Sequence, residues 1–284
     1  MTTVAKSVQP KAARWWGLRH LLGMLATALV IPSGLVGADE GQTRWDQIKT
    51  SLFADRTIQD GGNVISLDTP YRAQDAAVVP ISIHSKIAQT PEHYIRNLYL
   101  VIEMNPSPVA AVFHFPGKRA WDTLSTRVRV NAYTDVRAIA ELNDGGLFMT
   151  GNFVKAAGGC SAPSLKDPAA AAAQLGKMKL VLPDQFEVGS PLSAKLLIKH
   201  PNNSGLQFDQ VSRQFIPANF VRTIKVSYNG EALFSVDADI SISEDPSITF
   251  DLVPQDAGSL EVQVNDSQGR DFTKKFEVPP QSKG

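Results

Sequence analysis

The feature that most constrains this chain is a succession of short apolar or alternating runs separated by turn residues. They fall at residues 78–83, 98–102, 109–115, 126–133, 136–142 and 147–154, and again at 194–199, 220–228, 231–236, 248–252, 260–265 and 272–278. Thr126-Arg127-Val128-Arg129-Val130-Asn131-Ala132-Tyr133 alternates strictly, a period of two that sends successive side chains to opposite faces of a strand. Asn143-Asp144-Gly145-Gly146 and Asn229-Gly230 carry the residues that tight hairpins demand, because both types tolerate positive φ. Short strands at this spacing predict an all-β protein of antiparallel sandwiches.

The runs form two groups, and the stretch between them has a different composition. Residues 155–178 hold Ala156-Ala157-Gly158-Gly159-Cys160-Ser161-Ala162-Pro163, then Asp167-Pro168 and five alanines ending at Gln174-Leu175-Gly176. Asp167 fits a helix cap, Pro168 the first turn and Gly176 the stop. The expected fold is therefore two immunoglobulin-like β-sandwiches, residues 39–154 and 179–284, joined by a mobile linker over 155–178. A short helix opens the first sandwich: Trp45, Ile48, Leu52 and Phe53 fall at helical spacing, with Thr43 and Asp46 resembling a capping box.

Residues 1–38 contain Lys6, Lys11, Arg14 and Arg19 and no acid, then an apolar run over 21–31 broken by Pro32 and Gly34. The order basic, apolar, small matches a secretory signal cut after Ala38, and the run is well short of the roughly 20 residues that span a bilayer. The whole chain balances 28 basic against 28 acidic residues. Loss of the signal's four basic side chains leaves an acidic excess, which argues against a nucleic-acid binder. The expected protein is exported to the periplasm, with no membrane contact after signal cleavage.

One cysteine in an exported chain excludes an internal disulfide and a Cys-based zinc cluster. Cys160 stands among small residues with little apolar surface to bury, so it is expected at the tip of an exposed, mobile loop, with Gly158 and Gly159 supplying flexibility. A thiolate there is a soft nucleophile able to form a disulfide, persulfide or thiosulfonate and to be released by a later nucleophile. The nearest basic residue in the chain is Lys155, so no local group lowers the thiol's pKa. That pattern fits a carrier whose partners supply the chemistry better than an independent thiol enzyme, which would also want a resolving cysteine.

Other candidates read as structural. His84, His93 and His114 share no ligand spacing, and no metal or cofactor is expected. Arg127 and Arg129 read as a solvated strand face, Asp237-Ala238-Asp239 as a turn, and His200 as a structural hydrogen-bonding residue.

The second half resembles SoxZ of sulfur oxidation through Ile198-Lys199-His200-Pro201 with Gly205, Ile216-Pro217-Ala218-Asn219-Phe220, Asn229-Gly230, and Ser243-Glu244-Asp245-Pro246 leading to Phe250. The first half resembles SoxY, whose fold ends in a Gly-Gly-Cys-Gly-Gly arm; here Gly158-Gly159-Cys160 ends its last strand and Ser161-Ala162 replace the second glycine pair. The order in one exported chain is similar to the SoxYZ-like carriers associated with quinoprotein dehydrogenases. The resemblance implies a non-enzymatic carrier protein with Cys160 as the covalent attachment point and the two domains paired within the molecule. It implies periplasmic partner enzymes, either of sulfur oxidation or of a quinoprotein dehydrogenase system. The alternative is a non-covalent assembly module for such a dehydrogenase.

Overall fold

The computed structural model describes residues 36–117, 120–164, 167–254 and 257–279. Contacts divide the chain at Val36/Gly37, and residues 37–284 fall in one unit. The expected signal segment lies, up to residue 35, outside the described residues. The chain opens with α1 (Val36–Phe53), longer at its start than the Thr43–Asp46 cap predicted. Then follow β1 (Ile58–Asp60), β2 (Ile65–Asp68), β3 (Val79–Ser85), β4 (Ile95–Ile102), β5 (Val109–His114), β6 (Thr123–Val128), β7 (Thr134–Leu142) and β8 (Leu147–Val154). After α2 (Pro168–Gln174) come β9 (Met178–Val181), β10 (Leu192–Ile198), β11 (Phe208–Asp209), β12 (Gln214–Phe215), β13 (Val221–Tyr228), β14 (Glu231–Ala238), β15 (Ser247–Leu252), β16 (Gly258–Asp266) and β17 (Asp271–Val278).

The fold is all-β, as the alternating runs predict. The sandwiches expected of the two halves and the short opening helix are present, and the halves are joined edge to edge, so that the two large sheets run through both. One sheet has nine strands in the order β1-β8-β7-β4-β5-β14-β13-β16-β17, and the facing sheet has six in the order β2-β3-β6-β15-β10-β9. The halves meet where β5 pairs antiparallel with β14, Phe113 opposite Val236, and where β6 pairs with β15, Leu124 opposite Phe250. A single apolar core runs from Val64 to Val278 across this seam. Phe115 and Trp121 of the first half stack at 4.9 Å, Phe115 lies 6.3 Å from Phe234, and Phe234 meets Phe250 edge-on at 5.0 Å. Such ring pairs stabilise by about 0.5–1.5 kcal/mol each beyond the area they bury.

The helix α1 lays Trp45, Ile48 and Phe53 on Val101, Ile139 and Leu147, on the other face of the larger sheet. Arg137 sits over the Trp45 ring at 4.6 Å and also pairs with the buried Glu103. Burial pushes the Glu103 carboxyl above its ordinary pKa despite that partner. Both predicted hairpins form: Gly145 takes φ 92° between β7 and β8, and Asn229 and Gly230 take 52° and 80° between β13 and β14, the double positive φ of a type I′ turn. Asp167 caps α2 by accepting from the Ala170 amide at 2.8 Å. Asp237 and Ala238 continue β14, contrary to the turn expected there. Asp237 Oδ2 lies 3.1 Å from His114 Nε2 across the seam.

Candidate functional site: the docked cysteine arm

The arm begins where β8 leaves the sheet. Lys155 bridges back to Arg72, and Ala156 is buried. The Gly158 amide then donates to the Asn131 carbonyl at 2.8 Å and the Gly159 amide to the Val130 carbonyl at 3.0 Å. Gly158 has φ 79°, a conformation that suits glycine. Gly159 is required for a different reason: a Cβ built on it would lie 2.1 Å from the Ala76 carbonyl oxygen and 2.7 Å from that of Val130. No side chain fits, so this glycine permits close approach of two backbones.

The second half closes over the arm from the other side. Ser204 Oγ donates to the Cys160 carbonyl, and Gln207 Nε2 donates to the Ala162 carbonyl at 3.1 Å. Ser204 and Gln207 are tied to each other by a 3.1 Å bond from the Ser204 amide to Gln207 Oε1. The result corrects the expected exposure: Cys160 is 0% exposed. Its small neighbours serve to let the backbone slot between the two halves, and the thiol is covered by that docking.

The loop that follows Ile198-Lys199-His200-Pro201 builds the covering wall. The His200 Nδ1 accepts from the Asn202 amide at 3.1 Å, which leaves Nε2 as the proton-bearing nitrogen facing Asp266 Oδ2 at 3.4 Å. Burial pushes the His200 pKa down, so the ring is neutral in the fold. Burial also raises the Asp266 pKa, but the Arg270 amide and guanidinium, the Gln268 amide and His200 together carry it below its ordinary value. Arg270 Nη2 reaches Asn219 Oδ1 at 2.6 Å, and Asn219 pairs through its backbone with Asn203. Asn202 is fully buried, donates to the Ile242 carbonyl and accepts from the Val221 amide. His200 is thus structural, as expected, in a network that fixes the 200–207 loop against the arm.

Arg129, expected on a solvated strand face, is buried instead. The alternation over 126–133 does not continue as a strand: β6 ends at Val128, and the next amides turn to other partners, Arg129 to the Ser241 carbonyl and Val130 to that of Ala76. Val128, Arg129 and Val130 are all buried. Arg129 is 2% exposed and donates from Nη1 to the Gly159 carbonyl at 3.1 Å and from Nη2 to the Asn202 carbonyl at 3.4 Å. Arg127 also departs from the solvated face expected of it, reaching Ser247 and the Asp245 carbonyl across the seam. Burial lifts the Cys160 thiol to about 11, with the Arg129 charge pulling the other way. At neutral pH the docked cysteine is a protonated thiol.

The three histidines of the first half do not gather. His84 lies between Thr123 and Asp68, and His114 between Asn97 and Asp237. Among the described residues no three His, Cys, Asp or Glu side chains form a group able to hold a metal ion. A carboxylate cluster that sequence reasoning did not find surrounds Glu141, which accepts from Arg56, Arg96, Asn97 and Tyr99. It ties three segments together: Arg56, β4 and β7.

Two family models match, that of sulfur oxidation protein SoxY over residues 49–160 and that of sulphur oxidation protein SoxZ over residues 179–277. Similar solved structures include the sulfur carrier protein SoxY from Chlorobium limicola f thiosulfatophilum, at 21% identity and TM-score 0.35, covering 42% of this chain and 96% of that one. A superoxide reductase (neelaredoxin) from Ignicoccus hospitalis follows at 16% identity and TM-score 0.29, covering 32% and 79%. No match is found among curated proteins. The SoxY match ends on Cys160 itself, and the SoxZ match includes the whole wall that covers it. This chain belongs to the sulfur-oxidation proteins as a SoxY domain and a SoxZ domain joined in one polypeptide.

Proposed function

We propose that the protein is an exported carrier, not itself an enzyme, in which Cys160 holds a sulfur-containing group covalently while periplasmic partner enzymes load, transform and remove it. The observation that carries this reading is the position of the chain's one thiol. It ends the SoxY match on an arm clasped by both domains. The polar bonds holding the arm run mainly through backbone amides and carbonyls, and its side chains are small. It can therefore leave the cleft without dragging large apolar groups into water. Glycine at 158 and 159 then gives the released segment wide backbone freedom. Burial and a pKa near 11 make the docked thiol inert. Loading accordingly requires an undocked arm, whose cysteine returns toward the ordinary thiol value of 9.0. The basic-apolar-small order of residues 1–38 supports export to the periplasm. N-terminal sequencing should find Asp39 first; Met1 on exported protein would contradict it.

The burial of Cys160 favours a second reading. A thiol with no exposure also suits a non-covalent assembly module, such as one serving a quinoprotein dehydrogenase, in which the arm merely seals the seam between the domains. Thiol accounting separates the two. Protein exported by its native host, purified without reductant and unfolded in urea, is treated with a maleimide before and after reduction. A carrier shows Cys160 blocked in part and freed by reductant, whereas an assembly module reacts fully at once.

A further inference from the structure

Arg129 has a charge for which the neutral thiol supplies no partner. Its guanidinium is almost entirely buried and spends two donors on the carbonyls of Gly159 and Asn202. Its Nε, also buried, has no hydrogen-bond partner. Among the described residues no carboxylate lies within ion-pairing distance of it; Asp75 and Glu244 act on it only through space. A buried guanidinium stays protonated and is costly to leave without a counter-charge. One of its bonds falls on the residue immediately before Cys160, so the charge sits beside the arm's sulfur-bearing end.

We propose that Arg129 is the counter-charge for an anionic sulfur group carried on Cys160 while the arm is docked, and that it makes the docked site prefer anionic over neutral cargo. The inference rests on the carrier reading of Cys160. A sulfonate bonded to the cysteine sulfur keeps its negative charge at any pH near neutral. It also presents oxygens to a planar fork of donors, a geometry in which arginine outperforms lysine. A methyl group on the same sulfur offers neither. Arg129 would then be a positioning residue that retains one class of cargo.

The test loads both classes chemically, so it does not depend on finding native cargo. Prolonged incubation of the folded protein with methyl methanethiosulfonate lets the Cys160 thiolate attack the sulfenyl sulfur, forming a methyl disulfide and releasing methanesulfinate. Sulfite then displaces methanethiolate to leave the S-sulfonate. Dithiothreitol removes either group: its thiolate expels sulfite or methanethiolate, and its second thiol closes the cyclic disulfide and frees Cys160. Intact mass follows the loss in folded protein and in urea, and the ratio of the two rates is the protection the fold gives each adduct. Wild-type protein should protect the S-sulfonate about tenfold more than the methyl disulfide, the scale of one charge-assisted hydrogen bond. Arg129→Gln should bring the two protections level, and Arg129→Lys should keep part of the difference. Equal protection in the wild type overturns the proposal and needs no variant to be folded. An Arg129→Gln protein that loosens both adducts alike, keeping their ratio, overturns it too by showing a purely structural arginine. Failure to find cargo on native protein would instead count against the carrier reading and leave these ratios unchanged.

Discussion

At the scale of single residues, backbone packing at Gly159 decides where the thiol sits. The lone cysteine and the two glycines before it identify the arm. The composition around them suggests exposure, because small residues usually have little to pack against. What reverses that expectation is backbone packing: Gly159 is pressed onto the carbonyls of Ala76 and Val130, contacts far away in the chain. Arg129 was hidden for a related reason, since an alternating pattern cannot show where a strand leaves its sheet. Gly159→Ala should therefore expel the arm. Cys160 alkylation in that variant should be at least about tenfold faster than in the folded wild type, each tenfold corresponding to about 1.4 kcal/mol of docking energy, while wild-type alkylation is limited by rare opening. A wild-type protein that reacts as fast as the variant would contradict a docked thiol. The raised thiol pKa carries a sign as well. The folded state holds its proton up to about 11 and the unfolded state only to the ordinary value of 9.0. The thiol's contribution is thus complete below pH 9.0 and is lost as pH rises toward 11, at no more than about 1.4 kcal/mol per pH unit. Urea titrations of wild type and Cys160→Ala from pH 8 to 11 should show a steeper alkaline decline in the wild type; parallel curves would mean the thiol is not buried.

At the scale of elements, hairpins and central strands were readable and the seam was not. Turn chemistry at Asn229-Gly230 and alternation along 136–142 are local signals, and both elements formed as expected. Short strands such as β1, β2 and β9, and the two-residue pair β11 and β12, carry too few residues for a period to emerge. Pairing of β5 with β14 joins residues more than a hundred positions apart, and no local pattern encodes it. The seam's aromatic cluster gives it a measurable strength. Phe234→Ala removes the ring that contacts both Phe115 and Phe250 and should cost about 3–5 kcal/mol, read as a lowered urea midpoint. A loss under 1 kcal/mol would show that the two halves do not depend on that cluster.

At the scale of the whole molecule, the two domains form one body built on shared sheets, and the arm is where side chains of both reach the backbone beside the thiol. Cutting the chain between Pro163 and Pro168 should leave the fragments together on a sizing column, because the β5–β14 and β6–β15 pairings and the common core survive the cut. Separate elution would refute that. Fusion makes each domain the other's permanent neighbour, at an effective concentration in the millimolar range for a short linker, so the cleft over Cys160 is always assembled. Whether that cleft shelters cargo is decided most directly by the intact mass of protein taken from its native host's exported fraction without reductant. The carrier account predicts a population heavier than the Asp39-initiated chain by a sulfur-containing group, located by peptide mapping to Cys160 and removed by dithiothreitol. A single species at the unmodified mass, under conditions where the host is oxidising sulfur compounds, would contradict it.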